Sequence, residues 1–295
     1  MKTKFLYSVL ALAGLWTGCS KEEEAPPSSR DIEITTRIGT LTRATDRAFE
    51  TGDRISVYAY ESGDATRMVV GGVANTLQAD GSWTAATPMK WKDDATAHDF
   101  IGVYPENGSL TSFTSQAVTL GDDLHANDLL IATATGRRAA GGAVPLTFDH
   151  VMSRVAVCLT FNENLGTAPT VDRVVLRCRL SATVDYTAKT VTASGAVGEM
   201  AMTPAAATHT YTAVTCPQTL AAGEAMVVIT IAGKDYTFAH TAALALEAGK
   251  HRNINLTVNG TAPEDLSLSL GSITINDWGN SETIEGGEAT DSETV

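Results

Sequence analysis

The sequence predicts an all-β protein built as two β-sandwich units in tandem. Three observations carry this expectation. Thr, Val, Ala and Gly dominate while aromatic residues make up only 6% of the chain, and β-branched side chains suit a pleated surface. Short stretches that alternate apolar and polar residues recur, separated by Gly, Pro and Asp turn signals, the pattern of many-stranded sandwiches. No stretch keeps a helical period over three turns.

The chain begins with Lys2 and Lys4, an apolar run Phe5–Leu15, and Thr17-Gly18-Cys19. The run is too short for a permanent membrane helix, which needs about 20 residues. The layout is that of an export signal. A cysteine directly after glycine is where a lipoprotein signal peptidase cuts once the thiol is lipidated, so Cys19 is the expected lipidation site. Trp16 stands where the usual pattern has leucine. An ordinary secretory signal with a chance cysteine is the alternative. Ser20-Lys21-Glu22-Glu23-Glu24 resembles the surface-export signal of Bacteroidota lipoproteins.

Residues 20–31 read as a flexible tether, too polar to bury a core. Ile32–Ile38 alternates as a strand, and an arginine-rich loop follows up to a turn at Gly52-Asp53. Ile55–Tyr60 is a clear strand with Ile55, Val57 and Ala59 on one face and Ser56, Tyr58 and Tyr60 on the other. Asp80-Gly81 signals a hairpin into Trp83. Met89–Trp91 and Phe100–Tyr104 read as strands, and Asp128–Ala132 as a strand or helical turn. The glycine-rich loop at Gly136–Gly142 places a unit boundary near residue 144, with the second unit opening at Pro145-Leu146-Thr147-Phe148-Asp149-His150.

Later strands are expected at Val155–Phe161, Val174–Leu180, Val184–Tyr186, Thr190–Ala193, Tyr211–Val214, Met226–Ile231, Tyr236–Phe238, Asn253–Val258, Leu266–Leu270 and Ile273–Ile275. Alternation turns Cys178 inward and Cys158 away from the core. The expected organisation is therefore a signal at 1–19, a tether at 20–31, sandwiches at 32–144 and 145–284, and an acidic tail at 285–295.

A net charge of −13 argues against nucleic acid, which is held mainly by Lys and Arg on phosphates. Beside Cys19, three cysteines remain, Cys158, Cys178 and Cys216, too few and too scattered for a disulfide framework or a zinc site. The nucleophile elbow, the HExxH helix and the phosphate-binding loops are missing from the sequence, so an enzyme is not expected and neither a cofactor nor a metal is implied. Asp149-His150 is a tempting pair, but neighbours on a strand face opposite ways, which favours a structural role for His150 at the unit junction. Asp122–Asp128 is rich in oxygen donors yet lacks calcium-loop spacing. Arg30, Arg37, Arg43, Arg47 and Arg54 crowd the stretch before the first strong strand; they are solvated linker charges or a site for a trypsin-like protease.

Several motifs resemble the fimbrillin family of Bacteroidota. They are Thr42-Arg43-Ala44-Thr45, Phe49-Glu50-Thr51-Gly52-Asp53-Arg54 leading into Ile55–Tyr60, Pro145–His150 with Arg154–Val157, and Ile273–Trp278. The resemblance implies two transthyretin-like sandwiches exported as a lipoprotein to the outer-membrane surface, and a fimbrium after processing. It implies an arginine-specific protease that cuts after Arg43, with Arg37 and Arg47 as alternatives, and so removes the strand Ile32–Ile38. It implies partners that are other pilin subunits, in a homo- or hetero-polymer, with Leu266–Ile284 as the donated strand. Donation is β-augmentation, in which an added strand satisfies the unpaired groups of a sheet edge. A pilus anchor that keeps its lipid, or a lipid-anchored binding module for a glycan or a host or bacterial surface ligand, is the alternative. For a sugar, Trp83 and Trp91 would form the platform.

Overall fold

The computed structural model describes residues 30–39, 48–261, 265–278 and 280–284. It is all-β. The first unit is one seven-stranded sheet in the order β1-β8-β7-β5-β2-β3-β4. Its strands are β1 (Ile34–Ile38), β2 (Arg54–Glu61), β3 (Met68–Leu77), β4 (Trp83–Ala85), β5 (His98–Tyr104), β7 (Leu130–Arg137) and β8 (Val144–His150). Between β5 and β7 the chain leaves this sheet, forms β6 (Gln116–Thr119) and a one-turn helix α1 (Leu124–Asn127), and returns.

The expected alternation of Ile55–Tyr60 is what builds the sheet. Ile55, Val57 and Ala59 join Phe100, Leu130, Ala132, Leu146 and Phe148 in one core, closed by Ile32, Ile34, Met89 and Trp91. Tyr58 and Tyr60, with Ile101, Val103 and Ile131, point the other way, into the core of the second unit. Both faces of the central strands are thus buried. Gly102 is required at their centre, because a Cβ there would lie 2.6 Å from Cζ of the Phe148 ring.

The second unit packs two sheets. One holds β12 (Thr203–Pro204), β13 (Thr210–Thr215), β9 (Ser153–Phe161), β18 (Lys250–Asn259), β19 (Ser267–Asp277) and β20 (Asn280–Ile284) in that order. The other runs β11 (Thr190–Ala201), β10 (Val171–Asp185), β15 (Ala225–Ile231), β16 (Lys234–Ala239), and β6 of the excursion adds to β10. A short pair, β14 (Gln218–Leu220) and β17 (Leu244–Leu246), lies beside them.

Several sequence expectations change. Strand β8 carries the motif that was expected to open the second unit, yet it is hydrogen-bonded to β7 and β1. The glycine-rich loop before it is the turn of a hairpin, and the crossing into the second unit comes at Val151-Met152. Met89–Trp91 is no strand; Lys90 makes a single bridge to Asp31. Val174–Leu180 and Val184–Tyr186 merge into β10, whose register shifts between Arg179 and Ser181. Leu266–Leu270 and Ile273–Ile275 likewise merge into β19 around a register shift at Gly271. A bulge of this kind inserts one residue and flips the alternation while the strand continues.

Candidate functional site

The candidate site is the edge strand β1 and the groove beside it. The structure places β1 in a parallel pair with β8, from Ile34 opposite Val144 to Ile38 opposite Phe148. The pairing is extended by backbone bonds from Val144 N–H to the Glu33 carbonyl (2.8 Å) and from Gly39 N–H to the Phe148 carbonyl (2.7 Å). At the other end, Ile32 N–H donates to the Met89 carbonyl and Trp91 N–H to the Arg30 carbonyl. Ile32 and Ile34 are 6% and 9% exposed; burying two isoleucines stabilises by roughly 3–6 kcal/mol in all.

The far edge of the same sheet is β4. It hangs on β3 through the hairpin at Asp80-Gly81, where Gly81 takes a φ of 83°. The sheet curls so far that β4 meets β1: the indole N–H of Trp83 donates to Oγ1 of Thr36 at 2.9 Å. Between these two edges runs a groove of about 1370 Å³, lined among others by Ile34, Ile38, Phe49, Leu77, Trp83 and Met89. Asn75 also lines it. Its side chain is 1% exposed, and its Nδ2 donates to the Val73 carbonyl while its Oδ1 has no partner.

The structure separates the arginines singled out by sequence. Arg30 is 3.6 Å from Asp94 and Arg54 is 2.8 Å from Glu106. Arg37 is exposed on β1 and its Nε–H donates to the Thr147 hydroxyl at 2.8 Å. Its peptide bonds belong to a paired strand, so a protease that binds its substrate extended would first have to peel β1 from the sheet. Arg43 and Arg47, in the stretch 40–47, lie outside the described residues. Cys19 lies outside them as well.

The two family motifs around β8 and β19 meet in space. His150 Nδ1 is 2.8 Å from Asp128 Oδ1, and its ring stacks on Trp278 with centroids 4.2 Å apart and planes 13° from parallel. Its strand neighbour Asp149 faces away and pairs with Lys189 at 2.7 Å. Trp278 N–H in turn donates to the Gly249 carbonyl. His150 therefore fastens the tip of the β19–β20 hairpin to the last strand of the first sheet, a structural role at the junction.

Other candidates resolve into structure. Asp123 caps α1, accepting from the backbone of His125 and Ala126. Asp122 accepts from Ala201 N–H, and Asn127 donates to the Gly121 and Val214 carbonyls. The Asp122 carboxylate and the Asn127 amide N–H thus tie the excursion to the second unit. Trp91 is 3% exposed and stacked edgewise on Phe100, so it cannot form a sugar platform with Trp83. Cys178 is fully buried and Cys158 half-buried, and these two and Cys216 are free thiols. Burial pushes the Cys178 thiol up to about 11, which keeps it from the thiolate form that disulfide exchange needs.

The donor stretch is divided. Leu266, Leu268 and Ile273 are buried in the core of their own unit, so β19 is built into its sheet. Strand β20 pairs with β19 and occupies the sheet's outer edge. Sequence reasoning missed Asn75 because Gly71-Gly72 breaks the alternation of β3, and no local pattern marks a groove formed by two strands about 50 residues apart.

The all-β fold is shared with known proteins. A fimbrillin-like family model matches residues 42–278, and the chain belongs to that family. It is 28% identical over 170 residues to a protein of Bacteroides uniformis named as a fimbrium subunit. That match spans 54% of this chain and 56% of the relative, so the chain covers about half the relative's length. Two crystal structures described as cell adhesion proteins share the fold. One, from Bacteroides ovatus, is 18% identical with a TM-score of 0.62, covering 88% of this chain and 100% of that one. The other, from Bacteroides uniformis, is 19% identical with a TM-score of 0.65, covering 84% and 98%.

Proposed function

We propose that the protein is a structural and adhesive subunit of a cell-surface pilus. It is exported as a lipoprotein through the signal at 1–19 and lipidated at Cys19, with 20–31 as tether. An arginine-specific protease cuts in the stretch 40–47, after Arg43 or Arg47, and β1 leaves. A strand donated by another pilin subunit takes its place against β8. The function needs no catalysis by this chain.

The observation that carries this reading is the state of β1. It is the terminal strand of its sheet, it pairs with β8 alone along its length, and it is followed directly by an arginine-bearing stretch. Removing it would bare the β8 edge and an apolar groove, and an exposed edge of that kind recruits a strand. Arg37 is a poor cutting site by the same geometry. The donated strand is best drawn from 280–284 and the tail that follows, since β19 is held by its own core.

The test is to release surface material from cells, sequence the N-terminus of the protein, and run it unboiled on a denaturing gel. A ladder of oligomers whose subunits start near Ala44 or Ala48 supports the pilin. A monomer that still carries lipid at Cys19 sinks polymerisation and leaves the anchor or the lipid-anchored binding module.

A further inference from the structure

The outer face of the second unit carries a row of arginines. Arg173, Arg177 and Arg179 recur along β10 and are exposed, while Val174, Leu176 and Cys178 between them fill the core. The strand fixes their spacing: Arg177 and Arg179 start roughly 7 Å apart, and Arg173 lies roughly 13 Å back from Arg177. The acids beside the row are engaged. Glu199, opposite Arg177 on β11, pairs with Arg173 at 3.1 Å. Asp172 accepts from Gly233 N–H at 2.9 Å, and Asp235 accepts from the Thr230 hydroxyl at 2.6 Å. Arg177 and Arg179 stand in no ion pair among the described residues. The flanks of Arg179 are neutral: Val197 lies opposite it, 56% exposed, and the Gln218 side chain bonds to its backbone N–H and carbonyl. The whole chain carries −13, but charge is felt over only about 8 Å at physiological salt. The row therefore acts as a local positive strip.

We propose that this row binds an acidic polysaccharide, with Arg177 and Arg179 as its principal contacts. The ligand class completes the adhesive part of the pilus reading above and rests on that reading for its use at the cell surface, whereas the binding belongs to the single chain. Three features select the occupant. A planar guanidinium meets a carboxylate or sulfate through two parallel N–H donors, and the strand holds two such forks in line. The free charge is sparse, which matches a sugar chain with a carboxylate on alternate rings. DNA carries one charge per about 1.7 Å and would meet the acidic remainder of the protein. The face also lacks what a protein partner needs. Protein interfaces are anchored by buried aromatic and other large side chains. Among the described residues the exposed large apolar side chains are Met68 and Val197, and Met68 belongs to the first unit. A short row gives a weak single contact, and repetition of the subunit along a pilus supplies avidity.

The test measures binding of the full purified chain to immobilised hyaluronate, which carries a carboxylate on alternate rings, with neutral dextran, polyglutamate and single-stranded DNA beside it. The chain is expected to bind hyaluronate, less tightly as salt rises, and not to bind dextran. Arg177→Gln together with Arg179→Gln should weaken binding at least about tenfold, the loss expected of two charged contacts. Arg177→Lys together with Arg179→Lys keeps the charge and loses the forks, and should fall between that pair and the parent. Arg137→Gln together with Arg138→Gln makes the same change of net charge at exposed positions of the first unit and should keep the parent's affinity. All four arginines are exposed, so every variant should melt with the parent. A parent that does not bind hyaluronate, or an equal loss in the two glutamine pairs, would overturn the proposal. Polyglutamate or DNA bound as tightly as hyaluronate would overturn the sugar as partner. None of these results alters the ladder of oligomers, so polymerisation is judged separately.

Discussion

His98 shows how a single side chain sets a property of the whole. It is fully buried at the start of β5, with its ring 5.3 Å from that of Trp91. Burial lowers its pKa below the usual histidine value, and the Asp93 carboxylate and the Thr96 backbone offset only part of that. A histidine with a lowered folded-state pKa is neutral in the fold and takes up a proton more readily when unfolded. Its contribution to stability is therefore complete above the unfolded pKa of about 6.5 and is lost as pH falls through the folded value. Thermal melts of the wild type should drop between pH 7 and pH 5, and His98→Phe should reduce that drop. An equal drop in both would place the acid sensitivity elsewhere. Gly102 gives a second residue-scale expectation. Gly102→Ala pushes a methyl into the Phe148 ring and should cost about 1–3 kcal/mol, measured by denaturant unfolding. A neutral result would mean that Phe148 has room to move.

At the scale of elements, the alternation of Ile55–Tyr60 was legible because a strand buried on both faces still needs its two sets of side chains in strict order. The same reasoning placed β9, β13, β15, β16 and β18. It stumbled where glycine or a bulge interrupts the period, as at Gly71-Gly72 in β3, Arg179–Ser181 in β10 and Gly271 in β19. It misassigned β8 because pairing is non-local: β8 lies beside β1, roughly 110 residues earlier, as the 110-residue separation of Arg37 and Thr147 shows. Position in the chain made β8 look like a beginning, whereas its partners make it the inner neighbour of the first strand. The hairpin β19–β20 carries its own prediction. Trp278→Ala removes the stack on His150 and should destabilise the protein by roughly 2 kcal/mol. It should also raise amide exchange in β20 ahead of β19. Uniform exchange across both strands would deny the hairpin tip its fastening role.

For the whole molecule, the excursion between β5 and β7 is the organising feature that no sequence pattern announced. Strand β6 joins the sheet of the second unit, Tyr186 N–H donates to the Phe113 carbonyl at 2.7 Å, and Asn127 bonds to Val214 at 3.0 Å. With Tyr58, Tyr60 and Ile101 buried against the same core, the two units share surface and bonds. They should unfold in one transition, and Asn127→Ala, which leaves the Val214 and Gly121 carbonyls without that donor, should lower its midpoint at a cost of about 1–3 kcal/mol. Two resolved transitions in calorimetry would contradict this coupling. In the pilus proposed above, a subunit that behaves as one body suits a filament, since force passing through it meets no slack between its units.

The site was legible in part. Strand β1 and the arginine-rich stretch after it were visible as sequence, because alternation and charge are local. The groove, the unpartnered Asn75 oxygen and the Trp83 bond across it were not, because they arise only when the sheet curls and brings β4 to β1. The same curling explains why Trp91, which looks available as an aromatic, is sealed in the core.

The central claim is that a neighbour's strand takes the place of β1 against β8, and a cross-link between chains tests it most directly. Thr147 faces Arg37 of β1, so Thr147→Cys marks the vacated register, and Thr283→Cys marks the donated strand. Polymers grown from a mixture of the two variants and treated with a short thiol cross-linker should yield a covalent dimer joining position 147 of one chain to position 283 of another. Either variant alone should not yield it. Polymers that form normally and give no such dimer would contradict the account.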